Sequence, residues 1–316
     1  MVETAEGMSG QFHEAVIIGA GPAGLTAGIY LRRVGIDSVL VERGTLGGTA
    51  ARAERIENYP GFPKGISGID LMNLIAEQAN NFGLTMKEFF HVSEISRKDD
   101  GRFLVKSDKD VIETMGIIVA TGTEWKQLGI PGEQAFSGRG VSYCATCDAM
   151  FFQDLEVAVI GGGDSAVQEA LTLAKVCRRV IVVHRRDQLR AQKIIQERAF
   201  KESRIEFLWN RVPLEIAGKE QVESLLLQHT QTGEKSVLKV DGVFVFVGLE
   251  SKTGFLGDLV DRDSGGFILT DENLSTKVKG LFIAGDARQK KLRQITTAVG
   301  DGALAAMSLE KHILEI

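Results

Sequence analysis

The chain has 316 residues, a net charge of −5 and a mean hydropathy of +0.01, with 44% hydrophobic and 25% charged residues. This composition is typical of a soluble globular protein with two domains of ordinary size. No apolar run is long enough to span a membrane, no signal peptide is visible at the N-terminus, and the acidic balance disfavours a nucleic-acid partner. Three cysteines are too few for a disulfide scaffold and are typical of a reducing cytosol.

A strand–turn–helix pattern opens the chain. The apolar run Ala15–Ile18 leads into Gly19-x-Gly21-x-x-Gly24 and then into helical spacing. In such a turn the glycines allow a tight bend, close approach of a pyrophosphate and close helix packing, while the helix N-terminus faces the phosphates. The next strand ends in Glu42, whose carboxylate is suited to an adenosine ribose. The alternative is a surface glutamate after a chance glycine turn.

The rest of this first unit is predicted from turn residues and alternation. Loops at 47–49 and 58–61 precede a helix over Asp70–Phe82, and short strands follow between residues 85 and 111. The segment GIIVATG at 116–122 predicts a buried strand whose small terminal residues let a cofactor lie against the backbone.

A second strand–turn–helix pattern repeats the first. A strand over Leu155–Ile160 leads into Gly161-x-Gly163-x-x-Ala166 and a helix, and the next strand ends at His184. His184 stands at the same spacing from its first glycine as Glu42 does in the first unit, and GVFVFVG later in the chain resembles GIIVATG. Two dinucleotide sites are therefore predicted.

The two units differ at the residue position that selects the dinucleotide. The second unit has His184, Arg185 and Arg186 in place of a carboxylate, with Arg190 shortly after them. Guanidinium groups hold a ribose 2′-phosphate, which a carboxylate would repel. If the chain is helical from Asp187, then Arg186 and Arg190 lie one turn apart and converge on one phosphate. The pattern predicts NADP(H) in the second unit and FAD in the first, and the alternative is a solvated basic face.

The last third of the chain completes both units. Residues 195–240 alternate weakly and predict a β-meander that finishes the second domain, and the chain returns to the first domain near residue 250. GLFIAGD predicts a strand whose terminal Asp286 accepts a hydrogen bond from a ribityl hydroxyl or, alternatively, caps a helix. A small-residue helix over Thr296–Leu314 is expected to point its N-terminus at the flavin.

Cys144 and Cys147 form a CxxC pair that is followed by Asp148. Such a pair can be half of a zinc site, two buried thiols, or a dithiol/disulfide couple. The sequence has no second CxxC and no histidine spacing typical of zinc ligands, and Cys177 lies in a helical stretch, so no metal is expected. Two nucleotide sites favour the redox couple. Asp148 is the candidate proton donor and acceptor, or it caps a helix that begins near Ala149.

The chain resembles the low-molecular-weight thioredoxin reductases over about residues 12–314, through the segments GAGPAG, ENYPGFP, ATG, YCATCD, GGGDSA, HRRDQLR, AGDAR and RQITTAVGDGALAA. CATCD shortly before the second glycine motif is highly specific to that family. The resemblance implies an α/β fold of two Rossmann-like, three-layer nucleotide-binding domains, one inserted into the other. The FAD domain is expected at 1–125 and 253–316, and the NADPH domain, which carries the CxxC, at 126–252.

The resemblance also implies a homodimer that reduces cytosolic thioredoxin, using FAD and NADPH. Cys147 is implied to face the flavin and Cys144 to attack the disulfide of thioredoxin. The NADPH domain is implied to rotate about the crossings at 124–126 and 251–254. Thr49 departs from the glutamine of many family members, which affects one polar flavin contact.

Together, the motifs and the resemblance predict the cofactor contacts residue by residue. The FAD contacts are expected at Gly19, Gly21, Pro22, Ala23, Glu42, Gly47, Gly48, Thr49, Asn58, Gly122, Gly285, Asp286, Arg293, Gln294 and Ile295. The NADPH contacts are expected at Gly161, Gly163, Asp164, Ser165, His184, Arg185, Arg186, Arg190 and Gly248. Two other functions stay open: a flavin-dependent dithiol reductase or oxidase with another protein or small-molecule partner, and a nucleotide-binding module that senses redox state without catalysis.

Overall fold

The computed structural model describes residues 10–53, 55–251 and 253–315. The chain divides into two compact units, residues 1–124 with 250–316, and residues 125–249. The predicted domain boundaries after residues 125 and 252 lie close to these divisions. The first nine residues, on which the expected absence of a signal peptide depends, and Lys252, within the second predicted hinge, lie outside the described residues.

The first unit is built on a seven-stranded sheet. Its strands are β1 (Gly10–Ile18), β2 (Ser38–Val41), β3 (Thr85–Lys87), β4 (Glu94–Arg97), β5 (Phe103–Lys106), β6 (Val111–Val119) and β17 (Leu281–Ile283). The order is β3-β2-β1-β6-β5-β4, and β17 pairs with the second half of β6. The pairs β3-β2, β2-β1, β1-β6 and β6-β17 are parallel, whereas β4 and β5 form an antiparallel arm.

The central strands of this sheet are buried on both faces, as expected for a parallel sheet covered on two sides. Ala15 and Ile17 of β1 pack into one apolar core, whereas Val16 and Ile18 pack into a second core on the opposite face. This alternation follows from the two-residue repeat of a strand. It produces the three layers that the sequence predicts.

The helices are α1 (Pro22–Arg33), α2 (Gly68–Asn81), α3 (Ala145–Asp148), α4 (Asp164–Leu173), α5 (Lys193–Lys201) and α6 (Ile295–Leu314). The helices predicted over Asp70–Phe82 and Thr296–Leu314 are α2 and α6, and each is one residue longer than predicted. In the first unit, α1, α2 and α6 share the core on one face of the sheet. No helix among the described residues is long and apolar enough to cross a membrane.

The second unit contains a parallel sheet of five strands in the order β11-β10-β9-β15-β8 and an antiparallel sheet in the order β12-β13-β14. The strands are β8 (Val141–Ser142), β9 (Glu156–Ile160), β10 (Arg179–His184), β11 (Ile205–Trp209), β12 (Arg211–Gly218), β13 (Val222–His229), β14 (Lys235–Lys239) and β15 (Gly242–Val245). Where the chain passes between the units, β7 (Glu124–Trp125) pairs with β16 (Leu249–Glu250).

The β-meander predicted over 195–240 is correct only for its second half. Helix α5 occupies the first residues of this segment, and β11 extends the parallel sheet beside β10. The short helix KIIQERAFK is mostly polar and buries only Ala199 completely, so its sequence has little of the periodicity that identifies a helix. The strands β12, β13 and β14 do form a meander.

Candidate active site

The glycine turn of the first unit leaves open space where a diphosphate would lie. Gly19 has φ +106°, and an added Cβ would lie 2.5 Å from the carbonyl oxygen of Ala120. At Gly24 an added Cβ would lie 1.8 Å from the carbonyl oxygen of Gly19. By contrast, an added Cβ at Gly21 would meet nothing within 4 Å. Gly19 and Gly24 are thus required for the close backbone contacts, whereas Gly21 borders free space at the N-terminus of α1. Pro22 and Ala23 are the first two residues of this helix.

Glu42 is held at the wall of a cavity formed by the carboxyl ends of β1, β2 and β6. Its Oε2 accepts a hydrogen bond from the backbone N–H of Ala20 at 2.8 Å, and its Oε1 accepts one from Gly44 at 3.0 Å. The cavity is also lined by Gly122 and by Phe90, His91 and Val92. A fixed carboxylate in such a cavity fits the hydroxyls of an adenosine ribose. The lining residues 90–92 carry no motif, so the sequence alone does not identify them.

The predicted loop at Gly47, Gly48 and Thr49 rests against the glycine turn. The N–H of Gly47 donates to the carbonyl of Ala20 at 2.9 Å. An added Cβ at Gly48 would lie 3.2 Å from Cα of Gly21. A 3-10 helix over Gly48–Arg52 replaces the predicted loop and leaves Thr49 exposed.

Asp286 follows β17 and brings a second carboxylate to the first unit. It lies in a 3-10 helix over Gly285–Ala287, and the N-cap of α6 is Gln294, so Asp286 does not cap the long helix. Its Oδ1 is buried without a hydrogen-bond partner, and the nearest cation, Lys290 Nζ, lies 3.5 Å away. A buried acceptor of this kind fits a hydroxyl donor on the cofactor.

Lys290 is shared between Asp286 and a further acid, Asp301 in α6. Arg288 Nε and Lys290 Nζ lie 2.9 and 3.0 Å from Asp301 Oδ2. Burial raises the pKa of Asp286, and the charges of Lys290 and Arg293 oppose this effect. Burial also acts to raise the pKa of Asp301, but hydrogen bonds from Arg288 and Lys290 outweigh it and lower the pKa. This network cannot be identified from the sequence, because an Asp among small helical residues carries no motif.

The start of α6 collects four of the predicted flavin contacts. Asn58 Nδ2 donates to Gln294 Oε1 at 2.9 Å, and Ile295 is the first residue of the helix. The guanidinium of Arg293 lies 3.9 Å from the centroid of the Phe267 ring and donates to the carbonyls of Lys290 and Arg288.

The second unit repeats the open turn. An added Cβ at Gly161 would lie 2.5 Å from the carbonyl oxygen of Phe246, whereas one at Gly163 would meet nothing within 4 Å. Asp164 and Ser165 begin α4. The Asp164 carboxylate accepts hydrogen bonds from the backbone and side chain of Gln192 at 2.6 and 2.9 Å. Gly248, with φ +131°, lies in the connection between β15 and β16, and its carbonyl accepts from the N–H of Lys126.

Arg185, Arg186 and Arg190 are exposed on the loop after β10. The helix that the sequence analysis considered from Asp187 is absent, because α5 begins only at Lys193. The N–H of Arg190 instead donates to the carbonyl of Gly162 at 2.7 Å. This bond holds the basic loop against the glycine turn, so the arginines approach the turn by a loop and not by a helical face.

His184 is buried below the turn and supports it. An added Cβ at Gly162 would lie 2.4 Å from the imidazole ring. Burial lowers the pKa of His184, and the charges of the three arginines lower it further, against a backbone hydrogen bond with Gln188 that raises it. The imidazole is therefore neutral at pH 7, and the positive charge on this loop comes from the arginines.

Cys144 and Cys147 form a disulfide with a Cα–Cα distance of 5.4 Å. Cys144 is half-buried and is the N-cap of α3, and the N–H of Cys147, which is exposed, donates to Cys144 Sγ at 3.2 Å. A donor at this position stabilises a thiolate on Cys144 once the disulfide is reduced. Cys177 is fully buried, and burial raises its pKa to about 11, so it is a packing residue.

Asp148 lies at the end of α3, and its side chain makes no capping hydrogen bond to the following 3-10 helix over Ala149–Phe152. Asp148 therefore occupies the N-cap position of a helix that begins at Ala149, as the alternative predicts, but its side chain does not act as the cap. Instead, Ser142 Oγ donates to Asp148 Oδ2 at 2.6 Å. The carboxylate is thereby fixed within the segment that carries the disulfide, residues 143–148, which is called the redox segment below.

Among the described residues, no group of three or more acidic, His or Cys side chains could hold a metal ion.

Two further carboxylates hold the redox segment and were not found from the sequence. Glu133 is 2% exposed and accepts hydrogen bonds from the Tyr143 hydroxyl and from the N–H groups of Leu128 and Gly129. Burial, followed by the Glu133 hydrogen bond, raises the pKa of Tyr143 well above its usual range. On the other side, Glu169 Oε2 accepts from the N–H of Ala145 at 3.1 Å.

Comparison with known proteins gives consistent results over almost the whole chain. The family model described as pyridine nucleotide-disulphide oxidoreductase matches residues 13–302. The chain is 42% identical to a thioredoxin reductase of Bacillus subtilis, covering 97% of this chain and 96% of that protein. It is 43% identical to one of Listeria innocua, covering 97% and 95%.

Solved structures show the same similarity. The thioredoxin reductase of Lactococcus lactis, described as in the FR conformation, is 44% identical and matches with a TM-score of 0.93, covering 96% of this chain and all of that one. The enzyme of T. acidophilum is 34% identical and matches with a TM-score of 0.91, covering 96% and 99%.

The shared cation of the acidic network can be tested with two neighbouring lysines. Lys290→Met removes a side chain that is 6% exposed and leaves the buried Asp301 and the half-buried Asp286 without this cation, so we expect the free energy of unfolding to fall by about 3 kcal/mol. Lys291→Met, at an exposed position, is the control. Thermal unfolding measures the stability of each variant, and the flavin absorbance per chain measures its flavin content. Equal stability and flavin content in the two variants would contradict a structural role for Lys290.

Proposed function

The chain belongs to the thioredoxin reductases of the pyridine nucleotide-disulphide oxidoreductase family, and we propose that it carries electrons from NADPH, through FAD, to the Cys144–Cys147 disulfide and on to thioredoxin. The observation that carries the proposal is the presence of two open glycine turns with different selecting groups. One turn is followed by Glu42, and the other by three exposed arginines in the unit that holds the disulfide.

The first unit is proposed to bind FAD, which when bound supplies a two-electron carrier between a nicotinamide and a disulfide. Free space at Gly21, the carboxylate of Glu42 and the Oδ1 of Asp286, which accepts no hydrogen bond, support this assignment. They are suited to the pyrophosphate, the adenosine ribose and a ribityl hydroxyl, respectively. The N-terminus of α6, with Arg293, Gln294 and Ile295, supplies a positive dipole end for the flavin ring.

The second unit is proposed to bind NADPH in preference to NADH. Gly163 and the N-terminus of α4 are suited to the pyrophosphate, and Arg185, Arg186 and Arg190 to the 2′-phosphate. The bond from Arg190 to Gly162 supports this arrangement, because it keeps the basic loop beside the turn.

The sulfur chemistry is a two-step exchange. Cys144 thiolate attacks a disulfide sulfur of thioredoxin, so that one mixed S–S bond forms and the disulfide of the partner breaks. Cys147 thiolate then attacks Cys144 Sγ, so that the Cys144–Cys147 disulfide forms, the mixed S–S bond breaks and the thioredoxin sulfur that was bound to Cys144 leaves. Two electrons and two protons pass to the partner. Asp148 takes a proton from an enzyme thiol and gives it to a departing thiolate.

A protein substrate is favoured over a small molecule by the surface that follows the disulfide. Met150 and Phe151 come directly after the redox segment and are 67% and 78% exposed. Exposed apolar side chains beside a reactive pair are typical of a surface that contacts another protein. The low cysteine content and the requirement for a reducing nucleotide favour the cytosol as the place of action.

Exchange of Cys144 by Ser tests the direction of electron flow. We expect the variant to bind FAD and to bleach it with NADPH under anaerobic conditions, but to lose turnover with thioredoxin, because the attacking sulfur is gone. Flavin absorbance measures the reduction of FAD by NADPH, and thioredoxin-dependent NADPH oxidation measures turnover with thioredoxin. Cys177→Ala is the control and should retain both. Normal turnover in Cys144→Ser would exclude the proposed role of this sulfur.

The arginine assignment predicts a change in nucleotide preference. Arg186→Ala removes a charge-assisted hydrogen bond worth about 1.5–3 kcal/mol, so the KM for NADPH should rise on the order of tenfold or more. The KM for NADH should stay unchanged. Arg178→Ala, at the opposite end of β10, is the matched control because Arg178 is also exposed. A parallel rise for both nucleotides would argue against a 2′-phosphate site.

The proposal includes a homodimer formed through the helical layer of the first unit. Leu304 and Met307 on α6 and Ile69 and Leu74 on α2 are large apolar side chains that are exposed in the single chain. We expect light scattering to give twice the chain mass for the native protein, and Leu304→Glu to lower it. Val237→Glu, at an exposed position on β14, should leave the mass unchanged. A native mass equal to one chain would refute the dimer.

A further inference from the structure

We propose that Ser142 is a positioning residue for the sulfur exchange, acting by aligning Asp148 and by linking the proton on Asp148 to the backbone of Cys144. The inference rests on the proposed function, because it assigns Asp148 to proton transfer with a disulfide substrate. Ser142 has no motif of its own, and it precedes the CxxC segment by two positions.

The Ser142 hydroxyl lies at the junction of three groups. Its Oγ lies 2.6 Å from Asp148 Oδ2, accepts a hydrogen bond from the N–H of Cys144 at 3.0 Å, and lies 3.2 Å from the carbonyl oxygen of Cys144. Both ends of the short redox segment therefore meet at one oxygen atom. The residue that holds the proton and the residue that attacks the substrate are joined through this side chain.

A rigid site holds this hydroxyl in place. Ser142 is the last residue of β8, pairs with Phe244 of β15, and is 5% exposed. Two residues that follow it are fixed separately, since Tyr143 donates to the buried Glu133 and Ala145 donates to Glu169. The position of Oγ is consequently set by the sheet and not by the exposed surface around the disulfide.

A serine hydroxyl has one proton and can accept two hydrogen bonds, which gives the junction two arrangements. With Asp148 ionised, the hydroxyl donates to Oδ2, the stronger acceptor. With Asp148 protonated on Oδ2, the carboxyl group donates to Ser142 Oγ. The serine proton is then free to turn to the carbonyl of Cys144, while Oγ still accepts from the N–H of Cys144.

The exchange reaction needs this alignment because Asp148 must collect a proton from an enzyme thiol and deliver it to a departing thiolate. A carboxylate tethered at Oδ2 keeps its Oδ1 in a fixed direction, whereas an untethered carboxylate rotates between orientations. Loss of the hydroxyl should consequently slow thiol–disulfide exchange and leave nucleotide binding intact.

A simpler role has to be distinguished from the proposal, since Ser142 could only stabilise the start of α3 through the N–H of Cys144. That role would affect the enzyme whether or not Asp148 carries a carboxyl group. A double-mutant cycle separates the two, because residues that act through each other have non-additive effects.

The test uses the holoenzyme with Ser142→Ala, Ser142→Thr, Asp148→Asn and the double variant Ser142→Ala/Asp148→Asn. Each is reduced with one equivalent of NADPH, and its reoxidation by thioredoxin disulfide is followed by stopped flow. We expect Ser142→Ala to be slower on the order of tenfold, the loss of one hydrogen bond to a charged group. The double variant should be no slower than Asp148→Asn, Ser142→Thr should recover most of the rate, and flavin reduction by NADPH should be unchanged in Ser142→Ala.

Additive losses in the double variant, or a Ser142→Thr variant as slow as Ser142→Ala, would overturn the proposal. Flavin content and thermal unfolding report whether Ser142→Ala is folded, and Ser142→Gly, which also removes the hydroxyl and adds no thiol, replaces it in the cycle if it is not. Failure of the proposed function would look different, because the unmodified enzyme would then not reduce thioredoxin. In that case the same cycle is measured with a small aromatic disulfide as the oxidant.

Discussion

The contact between neighbouring strand ends at the two glycine turns is the constraint on which both units depend. In the first unit Gly19 lies against the carbonyl of Ala120, and in the second Gly161 lies against the carbonyl of Phe246. An added Cβ would lie 2.5 Å from the oxygen in each case. Because glycine has no side chain, the backbone after β1 or β9 can turn directly over the end of the neighbouring strand in the sheet, which is β6 or β15. The turn then presents the N-terminus of a helix, and free space beside Gly21 or Gly163, to a phosphate group.

Given this shared geometry, the chemical difference between the units resides in a few side chains at the end of the second strand. Glu42 binds back to its own turn through the N–H of Ala20, which fixes a negative charge at the cavity wall. His184 fills the equivalent place with a buried, neutral ring, and the positive charge moves outward to the arginine loop. A carboxylate and a guanidinium cluster attract different dinucleotides, so one fold can assign two cofactors to separate units.

The sequence was sufficient for the repeated turns, because glycine spacing and buried strands are local signals. It predicted α2 and α6 to within two residues at either end. It failed where a distant contact decides local structure. The segment after His184 stays a loop because the N–H of Arg190 binds the carbonyl of Gly162, a contact that spacing does not reveal. Lys290, Asp301 and Glu133 were missed for the same reason, since only folding makes them buried and shared.

The redox segment is held by contacts that do not depend on the disulfide. The backbone around Cys144 is held by hydrogen bonds that do not involve the S–S bond, from Cys144 to Ser142 and from Ala145 to Glu169. Tyr143 is anchored independently by Glu133. We expect these bonds to remain when the disulfide is reduced, and the N–H of Cys147 to continue to donate to the sulfur of Cys144. In the mechanism proposed above, the change of redox state involves two sulfur atoms and the proton on Asp148, and we expect the surrounding sheet to keep the geometry that the next exchange requires.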